Sequence, residues 1–141
     1  LTLSQSVPVT GAVIVTTPQD IALLDARKGI KMFEKVGVPI IGIVENMSLH
    51  ICSKCSHEEH IFGTGGGETL CKDYGVPFLG ALPLDIQIRR EVDSGVPTVV
   101  ADPDGRVAEL YKGIARQVAI AIAEKQKDMS HKFPNIVVQN T

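Results

Sequence analysis

Short unbroken apolar runs take turns along this chain with segments whose apolar residues recur every three or four positions. The first run, residues 9–16 (VTGAVIVT), is β-branched and almost continuously apolar, the pattern of a strand buried on both faces. Thr17-Pro18-Gln19-Asp20 then reads as a helix start. Thr17 can cap, Pro18 suits the first helical position, and Asp20 favours the positive end of the dipole. The helix is predicted to run to about Val36 on the stripe Ala22, Ala26, Ile30, Phe33 and Val36, and Gly37 stops it. Residues 39–44 (PIIGIV) read as a second buried strand and residues 78–82 (FLGAL) as a third. Between them, residues 45–67 form a long irregular stretch, followed by a short helix over 68–74 that Gly75 ends. Two more helices are predicted, over 85–94 and over about 104–125. The second has Val107, Leu110, Ile114, Val118 and Ala121 on one face.

Strand–helix–strand units with continuous apolar strands imply an α/β fold, a mostly parallel sheet with helices on both faces. Ligands in such sheets sit beyond the carboxyl ends of the strands. Those ends fall at Thr16-Thr17, Glu45-Asn46 and Pro83-Leu84-Asp85, so three loops are expected to converge on one site. Residues 1–5 look like the end of a helix. Beyond Lys125 the chain turns polar, with residues 135–139 as a stray edge strand or a segment without fixed structure. The expected division is a folded unit over 1–126 and a polar tail over 127–141.

Composition narrows the function classes. The 141 residues carry 14 basic and 16 acidic side chains, a formal charge of −2, with no basic block. An electrostatic nucleic-acid footprint is therefore not indicated. The apolar stretch from Val36 to Val44 is short and broken by Gly37, Pro39 and Gly42, so no membrane span is expected. Three cysteines without a signal peptide point to a reducing compartment rather than a disulfide scaffold.

The long stretch holds two of the three cysteines and three of the four histidines. Cys52-Ser53-Lys54-Cys55 is a CxxC, whose two thiolates can bind one metal ion or two corners of a cluster. A redox disulfide is the rival reading, but such motifs sit at a helix start and Ser56-His57-Glu58-Glu59-His60 makes a poor one. A mononuclear zinc site needs four ligands. Cys52, Cys55, His57 and His60 supply four locally at a tight spacing, whereas two chains can each give one CxxC to a shared site, and sharing is favoured. His50, His57 and His60 read first as polar loop residues, and Cys71, inside a helix, as a buried small hydrophobe. The glycine run Gly63-Thr64-Gly65-Gly66-Gly67 lacks the Gly-Lys-Ser/Thr of a phosphate loop and reads as flexibility or close packing. Asn46 serves equally as a reader of a base edge or as a turn residue. Asp85 reads as a helix cap, and Arg89 and Arg90 as solvated charges, with Arg89 able to reach an anionic ligand.

In order and spacing, Val44-Glu45-Asn46-Met47-Ser48, the CxxC, Ile61-Phe62-Gly63, Gly65-Gly66-Gly67-Glu68, Leu82-Pro83-Leu84-Asp85 and Asp93-Ser94-Gly95-Val96-Pro97 form a specific set. Together with Leu1-Thr2-Leu3-Ser4-Gln5 and Thr16-Thr17-Pro18-Gln19-Asp20, the set resembles the Mrp/ApbC family of P-loop ATPases, iron–sulfur cluster carriers related to MinD. The resemblance covers residues 1 to about 123 and implies the distal part of a MinD/Mrp-like P-loop NTPase fold. It implies a cytoplasmic homodimer whose paired CxxC motifs, here Cys52 and Cys55, hold a bridging 4Fe-4S cluster for delivery to apo iron–sulfur proteins. It also implies ATP binding, with Asn46 at the adenine and Pro83, Leu84 and Asp85 lining the base.

The family's Walker A loop and its magnesium-holding acidic residues have no counterpart in these 141 residues. The chain by itself is therefore expected not to hydrolyse ATP. With no initial Met, it reads as the distal part of a larger domain, expected to be marginally stable or to oligomerise through an exposed sheet edge. A zinc-holding dimerisation module is the rival reading. A MinD-like positioning ATPase is disfavoured by the CxxC and by the lack of a membrane-targeting helix.

Overall fold

The structure, a computed structural model, describes residues 6–52 and 54–128. In chain order its elements are β1 (Ala12–Thr16), α1 (Asp20–Lys35), β2 (Ile40–Glu45), β3 (His50–Ile51), β4 (Glu58–Glu59) and α2 (Gly66–Tyr74). They continue with β5 (Phe78–Ala81), α3 (Ile86–Asp93), α4 (Thr98–Ala101) and α5 (Arg106–Asp128). The main sheet has the order β1-β2-β5, and both pairings are parallel. The alternation of strands and helices thus forms the parallel α/β sheet that the apolar pattern predicts.

β2 is central because its apolar run is unbroken, so each of its faces can be covered. Ile43 and Ile14 point to one side, against Ala26 and Ile30 of α1 and Leu70 and Cys71 of α2. Val44 points to the other, where it packs with Leu79, Leu82 and Val13 against Tyr111, Ile114 and Val118 of α5. Ile30, Ile43 and Leu70 are wholly buried. Each contributes about 2 kcal/mol of apolar transfer energy. Gly42 is required by the spacing of β2 and β5. A Cβ there would lie 2.6 Å from Leu79 Cγ and 2.7 Å from the Pro77 carbonyl oxygen, which already accepts from Ile43 N.

Several boundaries differ from the sequence reading. β1 starts at Ala12 rather than residue 9, because β2 offers a partner only from Ile40 onward, with Ala12 N bonded to the Pro39 carbonyl. α1 starts at Asp20, after an N-cap, Gln19, that makes no side-chain capping bond. Thr17 donates instead to the Gln19 side chain, so it does not cap and Pro18 lies outside the helix. Val36, assigned to the buried stripe, is 40% exposed just beyond the last turn. On α5 Tyr111, Ile114 and Val118 pack against the sheet and Ala108, outside the predicted stripe, is wholly buried, while Leu110 lies at the exposed rim. The short α4 and the small antiparallel pair β3-β4 add to the expected elements. The helix end read over residues 1–5 and, from residue 129 on, the polar tail with its possible strand lie outside the described residues.

Candidate functional site

The long excursion between β2 and α2 is held at both ends. Where it leaves the sheet, Asn46 N donates to the Thr16 carbonyl at 2.7 Å. Where it returns, Gly67 N donates to Glu45 Oε2 at 2.6 Å. Glu45 is only 3% exposed, so its carboxylate is stabilised by the amide and by the positive end of α2. A Cβ on Gly67 would sit 3.0 Å from that oxygen and 3.2 Å from the Phe78 ring, and one on Gly66 would sit 2.7 Å from Leu23 Cδ1. Gly66 and Gly67 are therefore close-packing positions that let α2 dock on Glu45, while Gly63 and Gly65 supply positive φ, 98° and 70°.

Within the excursion, β3 and β4 pair antiparallel, His50 with Glu59 and Ile51 with Glu58. The cysteines occupy the turn between them. Cys52 N donates to the His57 carbonyl and Ser56 N to the Cys52 carbonyl, both at 2.9 Å, with Ser56 in the left-handed region at φ 56°. Cys55 is exposed and Cys52 partly so. The backbone N–H of Lys54, then that of Cys55, then the Cys55 thiol all hydrogen-bond to the Cys52 sulfur and hold its thiol below the ordinary cysteine range, against a smaller opposing effect of burial. Amides aimed at a sulfur are the arrangement that stabilises a metal-bound thiolate.

Two of the three loop histidines are engaged elsewhere. His50 Nδ1 donates to the Leu84 carbonyl at 3.0 Å and His60 Nδ1 to the Ser48 carbonyl at 2.9 Å, since a carbonyl can only accept. Among the described residues no group of three or more His, Cys, Asp or Glu side chains is placed to hold a metal. The local set Cys52, Cys55, His57 and His60 is thus not assembled. Cys71 is 7% exposed in the core, and burial, followed by Glu68 and Glu45, pushes its thiol up. A contrast in reactivity is expected. Under native conditions iodoacetamide modifies Cys52, at a rate that rises through a pH below the usual thiol range, while Cys71 stays unmodified until urea unfolds the chain. Peptide mapping over a pH series checks this, and equal labelling of both would refute it.

Asn46, Pro83, Leu84 and Asp85 line one cavity of about 610 Å³, together with Met47, His50 and Ile61. The Asn46 side chain takes the turn role that the sequence offered, while lining the cavity. Its Oδ1 accepts from Met47 N at 2.9 Å, holding Met47 at φ 56° as a turn residue does. That bond fixes which end of the amide is oxygen and leaves Nδ2 as a donor. Asp85 is a helix cap: its Oδ1 accepts from Gln87 N at 2.7 Å at the start of α3. Arg89 lines the cavity and pairs with Asp93 at 3.0 Å, both side chains exposed. Thr16 and Thr17 line a neighbouring cavity of about 510 Å³ and share only Asn46 with the first. The three strand ends therefore converge in part, and Glu45 turns inward. His50, Ile61 and Tyr111 join the cavity without having been singled out for it. The His50 bond spans 34 residues, so no local pattern announces it.

Residues 1–132 match the family described as the NUBPL iron-transfer P-loop NTPases, within ParA. The chain belongs to this family. Over 119 residues it is 59% identical to the iron–sulfur cluster carrier protein of Escherichia coli, covering 84% of this chain and 32% of that protein. Over 140 residues it is 46% identical to the iron–sulfur cluster transfer protein NUBPL of Dictyostelium discoideum, covering 98% and 43%. The iron-transfer NTPase fold is also that of MinD. The Pyrococcus horikoshii MinD complexed with Mg-ADP superposes with a TM-score of 0.62 at 26% identity, covering 82% of this chain and 44% of that one. An ADP-bound nucleotide-binding protein of Archaeoglobus fulgidus gives 0.56 at 32% identity, covering 71% and 40%. The chain spans less than half the length of each of these proteins.

Proposed function

We propose that this chain carries an iron–sulfur cluster as cargo on Cys52 and Cys55 and delivers it to apo iron–sulfur proteins. The observation that carries the reading is the CxxC turn itself, two accessible thiols, one held below the ordinary range by neighbouring amides, with no group of three or more metal-binding side chains around them among the described residues. Two thiolates are half of a four-thiolate set. The missing half is supplied by a second copy, which makes the protein a homodimer bridged by a 4Fe-4S cluster. The names of the relatives, cluster carrier and cluster transfer proteins, support the cargo.

The cavity bounded by Asn46, Pro83, Leu84 and Asp85 takes the base of ATP in this proposal. Apolar walls from Leu84 and Ile61 suit a flat heterocycle, and the Asn46 amide supplies an edge contact. The ADP in the two solved relatives supports this reading. The 141 residues contain no Gly-Lys-Ser/Thr phosphate loop, so ATP hydrolysis with magnesium belongs to a whole protein that has one. No helix among the described residues is long and apolar enough to cross a membrane, and we place the protein in the cytoplasm.

Anaerobic reconstitution with iron and sulfide tests the proposal. The expected product is a brown dimer that passes its iron and sulfide to an apo-ferredoxin. A colourless chain that takes up stoichiometric zinc and no iron would replace this reading with the zinc-dimerisation one.

A further inference from the structure

Three hydrogen bonds join the root of the cysteine hairpin to the wall of the cavity. Ser48 N donates to the Leu82 carbonyl at 3.0 Å, Leu84 N to the Leu49 carbonyl at 2.9 Å, and His50 Nδ1 to the Leu84 carbonyl at 3.0 Å. Two of them are backbone bonds that any sequence could make. The third needs this side chain. His50 also lines the cavity and lies two residues before Cys52, at the start of β3. On the returning side, His60 Nδ1 donates to the Ser48 carbonyl, so the second strand is tied to the same root. The turn beyond is closed by the Cys52–His57 and Ser56–Cys52 backbone bonds, which join it to the strands that carry it.

We infer that His50 is a positioning residue that couples occupancy of the Asn46–Leu84 cavity to the geometry of the Cys52–Cys55 turn. A ligand in the cavity contacts the Leu84 wall and the imidazole, and whichever it displaces shifts the base of the hairpin. The coupling is reciprocal: whatever factor the ligand applies to the cysteine pair, occupation of the pair applies to the ligand's affinity. The inference rests on the nucleotide reading of the cavity given above. It adds the residue through which a bound nucleotide reaches the thiols.

The test uses the full chain and a fluorescent N-methylanthraniloyl ADP as probe, with iodoacetamide labelling of Cys52 at fixed pH as the reporter. Binding of the probe is followed by its fluorescence, and labelling by peptide mapping. In the unaltered chain, saturating probe is expected to change the Cys52 labelling rate about fivefold, the low end of common coupling factors. His50→Leu fills similar space but cannot donate, so its probe affinity should shift and, compared at saturating probe, its labelling response should be lost. His50→Asn, whose amide nitrogen stands where Nδ1 stands, should restore it. A His50→Leu chain that responds like the unaltered one overturns the inference, as does an unaltered chain that binds the probe without a labelling response. Failure of the unaltered chain to bind the probe overturns the nucleotide reading and this inference with it.

Discussion

Replacing Cys52 with alanine is expected to abolish cluster loading. Each copy then offers one thiolate at this turn, and two copies offer two, half of what a four-iron cluster takes from protein. The surviving Cys55 also loses the sulfur to which its own thiol donates. Iron bound after anaerobic reconstitution should fall at least about tenfold, with the visible absorption, and Cys55→Ala should behave alike. Cys71→Ala is the control. Its thiol is buried beside Leu70 on the far side of α2 from solvent, so loading should persist with only a modest loss of stability. Iron analysis and absorption spectra of the three variants check this. Full iron in the Cys52→Ala chain would remove the turn from the mechanism.

Leu70→Ala should lower the unfolding free energy by about 3 kcal/mol, through lost transfer energy and a cavity that the sheet cannot collapse to fill. Leu70 is wholly buried between Ile14, Ile30 and Ile43, so two strands and two helices lose contact at once. In urea the midpoint should drop by roughly 1.5 M. The effect extends beyond the core. α2 has nine residues and carries Gly67 in its first turn, so its docking fixes the bond to Glu45. Hydrogen exchange at the Gly67 amide should therefore speed up in the variant under native conditions. A midpoint shift below about 0.3 M would show that the site relaxes far more than its packing indicates.

How much of this was legible in the sequence depends on whether the deciding partner is near or far. β2 was legible because an unbroken apolar run has one physical explanation, cover on both faces, and Ile43 and Val44 supply it. The cavity residues were legible through the rule that strand ends carry the site, which places Asn46 beside Pro83, Leu84 and Asp85. β3 and β4 were not, since two-residue polar strands leave no periodic signal and are fixed by their mutual bonds. The inward turn of Glu45 was hidden because a carboxylate at a strand end reads as solvated until its partner, the Gly67 amide, is known. The packed face of α5 differs from the predicted stripe at two positions: Ala108 is wholly buried though outside it, and Tyr111 takes the inward place given to Leu110. Both choices satisfy a helical period, and only the position of the sheet decides between them.

The Glu45–Gly67 clasp makes the cysteine-bearing segment interchangeable. Its two ends are fixed to the same spot on the sheet, by Asn46 to Thr16 and by Gly67 to Glu45, whatever lies between. Loop closure depends only weakly on length once the ends are held, about 0.6 kcal/mol for each doubling. Insertions, deletions or a foreign ligand-binding hairpin grafted between residues 51 and 59 should leave the parallel sheet intact. The segment is thereby free to vary without redesign of the core.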